Sequence, residues 1–190
     1  MGKLTSFTFI TLNGFYKGPG EDISWHQHSN AAGKFSNEAS QSYNILLFGR
    51  KTYELMAAFW PTPAAAEAYP IVAAKMNSAK KIVCSNTLKS TTWENSSIIS
   101  GDIVTKLQVL KQEEERDITL LGSGSLITQL SNAGLIDSYM LMIDPLVIGK
   151  GTPVFDGLHH QLNLNLTTSR IFEEEGIVVF NYEPRQPDEH

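Results

Sequence analysis

The fold is decided by residues 44–54, which read NILLFGRKTYE. The apolar run at residues 45–48 has the length and composition of a buried β-strand, and Gly49 ends it. Residues 51–59 then place Tyr53, Met56 and Phe59 at helical spacing, and the pattern stops before Pro61. A strand that leads directly into a helix is the repeating unit of a parallel α/β sheet.

The rest of the chain alternates strands and helices and then changes to consecutive strands. Further strands are predicted at residues 4–12, 80–84, 117–121, 136–146, 165–172 and 177–182, with short candidates at 91–93 and 98–99. Further helices are predicted at residues 29–42, 66–77, 102–115 and 125–132. Ser29 and Asp102 are the predicted N-caps. The pattern predicts an α/β fold of three layers: a mostly parallel central sheet, helices on both faces, and an antiparallel C-terminal hairpin.

The composition is that of an ordinary globular protein, and the length suits a single domain. The 190 residues contain no repeat and no Gly/Ser-rich linker, so residues 1–183 are predicted to form one domain and residues 184–190 a flexible tail. The net charge of −5, without a clustered basic face, argues against a nucleic-acid partner. A single cysteine, Cys84, excludes an intramolecular disulfide and is predicted to be a buried thiol. No signal-like segment or membrane-length apolar run is visible, which predicts a cytoplasmic protein off the membrane.

The joint at Gly49 is a candidate phosphate site. Ligands of α/β sheets bind where strands end and helices begin, because free backbone N–H groups and the helix dipole favour anions there. Arg50 and Lys51 add two cations at this helix start, and the Thr52 hydroxyl can bind a phosphate oxygen. The alternative is a plain strand–helix turn with solvated basic side chains, and the residues alone do not separate the two.

A second glycine joint follows the strand at residues 117–121. Its residues are Gly122, Ser123, Gly124 and Ser125, and they lack the third glycine of the Rossmann fingerprint. A backbone cradle for a pyrophosphate is compatible with this segment, but a Gly-Ser-Gly turn has many other uses. By itself it is weak support for a nucleotide site.

Four segments in order resemble the dihydrofolate-reductase-like superfamily, and most closely the branch that contains the C-terminal reductase domain of the bifunctional riboflavin-biosynthesis deaminase/reductase (RibD). The resemblance extends over residues 4–182. The segments are TLNGF at 11–15, FGRKTYE at 48–54, LGSG at 121–124, and AGLID followed by PLVIGKGTPVF between 133 and 155. The last of these is the most specific, and the matching order supports the fold more strongly than any activity.

The resemblance implies an NADPH site along the carboxyl edge of the sheet. It implies that the backbone of Thr8 and Phe9 meets the nicotinamide carboxamide, and that Ser85 and Asn86 lie near the adenosine. The residues that it implies at the pyrophosphate, the 2′-phosphate and the nicotinamide side are Gly49, Arg50, Lys51, Thr52, Gly122, Ser123, Gly124, Ser125 and Leu126.

One departure from the folate reductases is important. Those enzymes carry an acidic residue shortly after a tryptophan of the first loop, and it binds and helps to protonate the pterin. Trp25 resembles that tryptophan, and Asn30 then stands where the acid is expected. Asparagine cannot ionise, and loss of such proton transfer typically costs about 10²–10⁴-fold in rate. The sequence therefore predicts that dihydrofolate is reduced very slowly or not at all.

Substrate contacts are predicted from the same region and from the helix after Gly49. These residues are Trp25, Asn30, Tyr53, Met56 and Trp60, whereas core packing is the favoured interpretation of Phe59. No proton donor is assigned: the catalytic candidates are Trp25, His26, His28 and Asn30, and water is an alternative. No metal site is predicted, because His26 and His28 are two residues apart and no third ligand is evident.

The resulting expectation is an NADPH-dependent reductase that transfers hydride to a small heterocyclic or carbonyl-type substrate. Two alternatives stay open: a reductase of 5-amino-6-(5-phosphoribosylamino)uracil in riboflavin biosynthesis, and a non-enzymatic nucleotide-binding protein. A homodimer is also predicted, because residues 139–143 and the late hairpin carry much apolar surface. The competing interpretation buries both faces within the monomer.

Overall fold

The structure is a computed structural model that describes residues 1–26 and 45–185. The predicted helix at residues 29–42 lies outside the described residues, and so do His28 and Asn30. The same holds for residues 186–190 of the predicted tail.

An eight-stranded mixed sheet forms the centre of the protein. Its strands stand in the order β5-β4-β3-β6-β1-β7-β10-β9, and the six from β5 to β7 are parallel. Two further strands, β2 and β8, pair with each other outside this sheet. The strands of the described residues are β1 (Leu4–Thr11), β2 (Phe15–Lys17), β3 (Ile45–Gly49), β4 (Lys81–Cys84), β5 (Ser96–Ile99), β6 (Ile118–Leu121), β7 (Ser138–Asp144), β8 (Thr152–Pro153), β9 (Leu164–Phe172) and β10 (Ile177–Pro184). Strand β10 runs antiparallel to both β7 and β9. The predicted parallel sheet with an antiparallel C-terminal hairpin is confirmed.

The helices connect the parallel strands. They are α1 (Arg50–Phe59), α2 (Pro63–Ala68), α3 (Pro70–Ser78), α4 (Ile103–Glu113) and α5 (Gly124–Asn132). The Asp102 carboxylate accepts a hydrogen bond from the Thr105 amide at 3.1 Å, so its predicted role as the cap of α4 is confirmed. The single helix predicted at residues 66–77 is wrong. Pro70 has no amide hydrogen, and Tyr69 before it leaves the helical conformation, with φ −139° and ψ 61°.

Helices cover both faces of the sheet because neighbouring residues of a strand point to opposite sides. Leu47 of β3 packs in one core cluster with Leu107 of α4 and Leu130 of α5. The next residue, Phe48, packs on the other face with Tyr53 of α1. Both Leu47 and Phe48 are fully buried, which explains why the decisive stretch is apolar without alternation.

Three local expectations differ from the structure. Residues 91–93 form no strand, because the backbone amides of Thr92 and Trp93 donate to the Tyr53 hydroxyl. The loop after β1 contains the short strand β2, which pairs with β8, and a single 3-10 turn at Pro19–Glu21. Pro184, the first residue of the predicted tail, ends strand β10 opposite Leu164.

Cys84 lies at the end of β4 with its side chain inside the core. It is 5% exposed, and burial raises the pKa of its thiol to about 12. The predicted buried thiol is therefore confirmed. Within residues 1–26 and 45–185, no helix has the length and apolar character that crossing a membrane requires.

The carboxyl ends of β1, β3, β6 and β7 meet at one edge of the sheet, since these strands are parallel neighbours. At that edge β3 leads into α1, and β6 leads into α5. Both predicted glycine joints therefore belong to the same side of the molecule, where α/β proteins bind their ligands.

Candidate cofactor and substrate cleft

A cleft of about 760 Å³ opens at the carboxyl edge of the sheet. This size is ordinary for a site that holds a small molecule or cofactor, which spans roughly 300–1,000 Å³. Its lining is formed by Phe7, Thr8, Phe9, Tyr16, Lys17, Glu21, Ile23, Trp25, His26, Leu46, Lys51, Thr52, Glu54, Leu55, Met56, Phe59, Trp60, Tyr69, Val72, Lys75, Met76, Ala79, Thr119, Leu121, Gly122 and Ser123.

The two glycine joints contact each other at the floor of this cleft. The Gly49 amide donates to the Ser123 hydroxyl oxygen at 2.8 Å, and that hydroxyl donates to the Thr52 hydroxyl oxygen at 2.8 Å. Gly122 and Ser123 both have left-handed backbone, with φ of +55° and +62°. This conformation costs a glycine little, and it turns the chain sharply from β6 into α5. The two segments therefore form one site.

The N-termini of α1 and α5 give this part of the cleft a positive character. Neither helix has an acidic residue in its first turn, and neither has a side chain that caps its first amides. Free N–H groups and the helix dipoles are thus available to an anion. Lys51 lines the cleft, and Arg50 stands beside it at the start of α1.

Glu21 holds the basic side chains of this region in place. Its carboxylate accepts from Lys17 at 2.8 Å and from Lys51 at 3.1 Å. These two hydrogen bonds, first that of Lys17, lower the pKa of Glu21 below its ordinary value. Glu21 thereby ties the loop after β2 to the start of α1. The sequence offered no signal for this contact, because Glu21 and Lys51 are distant in the chain.

A buried histidine–carboxylate pair closes the neighbouring part of the cleft. The Nδ1 atom of His26 lies 3.0 and 3.2 Å from the two carboxylate oxygens of Asp144. Both side chains are only 5% exposed. The His26 ring also stacks on Phe9, with ring centres 3.7 Å apart and planes 19° apart. Asp144 is the last residue of β7 and pairs with Thr11 of β1, so the sheet itself fixes the carboxylate.

Trp25 lies beside this pair. Its ring meets His26 edge-on at 6.1 Å, and both residues line the cleft. The indole Nε1 atom is buried and has no hydrogen-bond partner among the described residues. A buried indole N–H normally finds an acceptor, so this donor is suited to a ligand group.

The far end of the cleft is apolar and aromatic. Phe59, Trp60 and Tyr69 form a cluster of edge-to-face contacts, with ring centres between 5.1 and 6.4 Å apart. Leu55 adds an exposed side chain on the same wall. Phe59 is 39% exposed and lines the cleft, so the interpretation that assigned it to core packing is wrong.

Most residues assigned to the cofactor from the sequence do lie at this cleft. Thr8, Phe9, Lys51, Thr52, Gly122 and Ser123 line it, and Gly49, Arg50 and Gly124 adjoin it at the two helix starts. The others lie elsewhere. The Ser85 hydroxyl accepts a hydrogen bond from the Leu88 amide of its own loop, and the Asn86 side chain accepts one from the Gly101 amide after β5. Leu126 is 5% exposed within the core. Ser125 is exposed on α5 away from the lining.

Among the predicted substrate contacts, Trp25, Met56 and Trp60 line the cleft and Tyr53 does not. Tyr53 is 2% exposed, packs against Phe48 and Trp93, and accepts two backbone hydrogen bonds through its hydroxyl. Its helical spacing with Met56 suggested a shared face, but Tyr53 turns into the core behind α1. In the part of the chain that the structure describes, no group of three or more His, Cys, Asp or Glu residues is placed to hold a metal ion.

The chain is similar to known proteins in its sequence and in its fold. The curated protein YyaP of Bacillus subtilis, itself uncharacterized, is 31% identical over 91% of this chain and 90% of its own. RibD of Acinetobacter baumannii superposes with a TM-score of 0.71 at 15% identity, over 98% of this chain and 59% of RibD. Dihydrofolate reductase of Enterococcus faecalis, solved with NADP(H), gives 0.64 at 16% identity, over 97% of this chain and 98% of its own.

The sheet order and the antiparallel hairpin give the chain the α/β fold of dihydrofolate reductase, with its cleft at the carboxyl edge of the sheet. Residues 2–178 match the family model of the RibD C-terminal domain. The chain therefore belongs to the RibD C-terminal domain family, as its sequence motifs indicated.

Proposed function

We propose that the protein is an NADPH-dependent reductase of a small heterocyclic or carbonyl-type substrate. The observation that carries the proposal is the convergence of two uncapped helix N-termini, α1 and α5, beside Lys51 in one cleft. Such a site suits the phosphates of a dinucleotide. Membership of the RibD C-terminal domain family supports the same reaction class.

The residues present fit this cofactor. Arg50, Lys51 and Thr52 would hold the phosphate groups together with the amides that open α1 and α5. The nicotinamide end would lie towards Thr8 and Phe9, whose strand borders the cleft between β6 and β7. A bound reduced dinucleotide supplies a hydride, and the protein supplies orientation and an environment with little water.

The apolar end of the cleft indicates the kind of substrate. Trp25, Phe59 and Trp60 offer flat aromatic surfaces, and Leu55 and Val72 extend the apolar wall. A small planar ring or an aromatic carbonyl compound would bury apolar area against these side chains, worth about 25 cal/mol per Å². The wall thus favours an apolar substrate over a strongly charged one.

Selective binding of NADPH tests the proposal. We expect the double variant Arg50→Ala/Lys51→Ala to weaken NADPH by roughly 1–3 kcal/mol, the usual contribution of a charge-assisted hydrogen bond, and NADH by much less. The difference arises because only NADPH carries the 2′-phosphate. Binding is measured by fluorescence titration and by the shift in melting temperature.

A charge-matched control comes from the opposite edge of the sheet. Lys3 precedes β1 and Arg116 precedes β6, and both side chains are exposed. Lys3→Ala/Arg116→Ala removes the same charge and should leave both affinities unchanged. Equal affinity of the wild type for NADPH and NADH, or equal losses in the two double variants, would contradict a 2′-phosphate site at Arg50 and Lys51.

A reductase of 5-amino-6-(5-phosphoribosylamino)uracil is the second candidate, and the family match favours it. This substrate carries a ribosyl phosphate that needs cations at the distal end of the cleft, where Lys75 is the lysine that lines the wall. NADPH oxidation in the presence of this compound distinguishes the two candidates. Turnover that depends on Lys75 would favour the riboflavin-type reaction.

A further inference from the structure

We propose that His26 is the proton donor of the reductase and that Asp144 is the residue that positions it. This inference rests on the proposed function and names the group that supplies the proton for the reduced substrate. It is carried by the buried contact between the two side chains at the carboxyl ends of β1 and β7.

The contact fixes which ring nitrogen faces the carboxylate. Asp144 approaches Nδ1 with both oxygens, at 3.0 and 3.2 Å, and an ionised carboxylate only accepts hydrogen bonds. Nδ1 must therefore carry a hydrogen and donate it. The Nε2 atom lies on the other side of the ring, and His26 belongs to the lining of the cleft. We assign the proton exchange with a ligand to Nε2, because it is the ring nitrogen on the side away from Asp144.

The surroundings of the ring hold it in this orientation. Phe9 of β1 stacks against one face at 3.7 Å, and Trp25 meets the ring edge-on at 6.1 Å. Asp144 is the ionisable group that β7 presents to the ring, while β1 presents the apolar Phe9. Water screens the contact between the carboxylate and the ring only weakly, because both side chains are only 5% exposed.

The chemistry balances with these two residues and the cofactor. Hydride addition to the carbon of a C=N or C=O bond moves the π electron pair to the nitrogen or oxygen. The imidazolium of His26 gives its Nε2 proton to that atom, and His26 becomes neutral with its hydrogen on Nδ1. A solvent proton then restores the imidazolium of His26. Asp144 keeps the ring in place throughout.

The first test measures the position of the hydrogen without any turnover. Long-range ¹⁵N–¹H correlations of the imidazole rings distinguish Nδ1–H from Nε2–H, and His26→Gln assigns the signals of His26 among the five histidines. At alkaline pH we expect Nδ1–H in the wild type. In Asp144→Asn the amide NH₂ can donate to Nδ1, so we expect a shift towards Nε2–H. An Nε2–H ring in the wild type would overturn the proposal.

The second test separates proton delivery from mere structural support. The neutral imine 3,4-dihydroisoquinoline needs a proton when it accepts hydride, whereas its N-methyl iminium cation needs none. With NADPH, at the pH where the wild type turns over the imine fastest, we expect His26→Gln to lower kcat for the imine by about 10²–10⁴-fold and to change kcat for the iminium little. Asp144→Asn should lower kcat for the imine in the same sense, with a smaller effect on KM.

The control variant is His159→Gln, which removes an exposed histidine and should match the wild type with both acceptors. Equal losses on imine and iminium in His26→Gln would show a structural role and overturn the assignment. Failure of the wild type to bind NADPH would instead overturn the proposed function. The two failures are distinguishable, because the position of the ring hydrogen is measured without cofactor.

Discussion

Gly124, the first residue of α5, shows how closely the backbone is packed beside the cleft. A Cβ atom at this position would lie 2.5 Å from two ring carbons of Tyr16, well inside van der Waals contact. Tyr16 in turn lines the cleft. The second glycine of the Gly-Ser-Gly segment is therefore explained by the ring that covers it, independently of any ligand.

We expect Gly124→Ala to destabilise the protein by about 1–3 kcal/mol, the usual cost of overpacking. In a Tyr16→Ala background the same change should cost much less, because the ring that it meets is gone. Denaturant unfolding of the two single variants and the double variant measures this coupling. The same cost in both backgrounds would mean that Tyr16 is not the obstacle.

At the residue scale, the sequence predicted which residues of the two glycine joints line the cleft better than it predicted the contacts of His26. Lys51, Thr52, Gly122 and Ser123 adjoin strand ends, where a rule about α/β sheets applies. Asp144 was missed because it stands 118 positions from His26, and only the pairing of β1 with β7 brings them together. The consequences expected from Asn30, including slow reduction of dihydrofolate, stay predictions.

At the element scale, Lys81 joins the end of α3 to the start of β4. Its side chain is fully buried, and its ammonium group donates to the carbonyls of Asn77 at 3.0 Å and Ala79 at 2.7 Å. The same group lies 4.5 Å from the centre of a Trp93 ring. It therefore satisfies carbonyls that a helix end leaves without partners. Burial lowers the pKa of Lys81 from 10.5 to about 8.

This pKa predicts how stability depends on pH. Between about pH 8 and 10.5 the unfolded chain binds more protons at Lys81 than the folded protein, so the contribution of this residue to the free energy of unfolding rises with pH. We expect the wild type to gain stability relative to Lys81→Met across this interval. Urea unfolding at several pH values measures the difference between the free energies of unfolding of the two proteins. Groups that titrate alike in both proteins cancel in this difference. A constant difference would contradict the lowered pKa.

The elements that the sequence predicted well are those with a local physical cause. Asp102 caps its own helix. The apolar run before Gly49 is too short and too hydrophobic for anything but a buried strand, and most of its residues are buried in the sheet. The prediction of one continuous helix at residues 66–77 did not take Pro70 into account. The break there has a local cause as well, because proline has no amide hydrogen and disfavours the interior of a helix. Strands β2 and β8 span three and two residues, too few for a periodic pattern, and exist only because distant segments meet.

At the scale of the whole molecule, β9 is an edge strand of the sheet, and a strand of another chain could pair with it. It is a nine-residue strand, exposed along nearly its whole length, with Arg170 as its one charged residue. Its outer edge pairs with none of the described strands. Edge strands of monomers usually carry charges, prolines or bulges that oppose such pairing, and β9 carries one charge and one bulge, at Thr167 between Leu166 and Thr168. We propose that a second copy of the chain covers β9, in keeping with the expected homodimer.

Sedimentation at micromolar concentration should accordingly show twice the chain mass of 21.0 kDa. Leu166→Lys/Ile171→Lys places charges at two exposed apolar positions of β9 and should yield monomers, since a stable interface buries roughly 1,200 Å² or more. Val109→Lys changes an exposed apolar residue of α4 and should leave the mass unchanged. A wild type that sediments as a monomer would refute the dimer.

The position of β1 in the middle of the sheet has a consequence for biosynthesis. The first strand of the chain pairs with β6 and β7. Leu4 cannot pair until Ile118 has been synthesised, and Thr5 cannot pair with β7 until Ser138 has been synthesised. At about 5–20 residues per second, the ribosome needs on the order of ten seconds to supply these partners. During that interval the apolar side chains of β1 have no sheet to join. Refolding should be slow for a related reason. Bringing distant segments together costs loop-closure entropy before the strand contacts that offset this cost have formed.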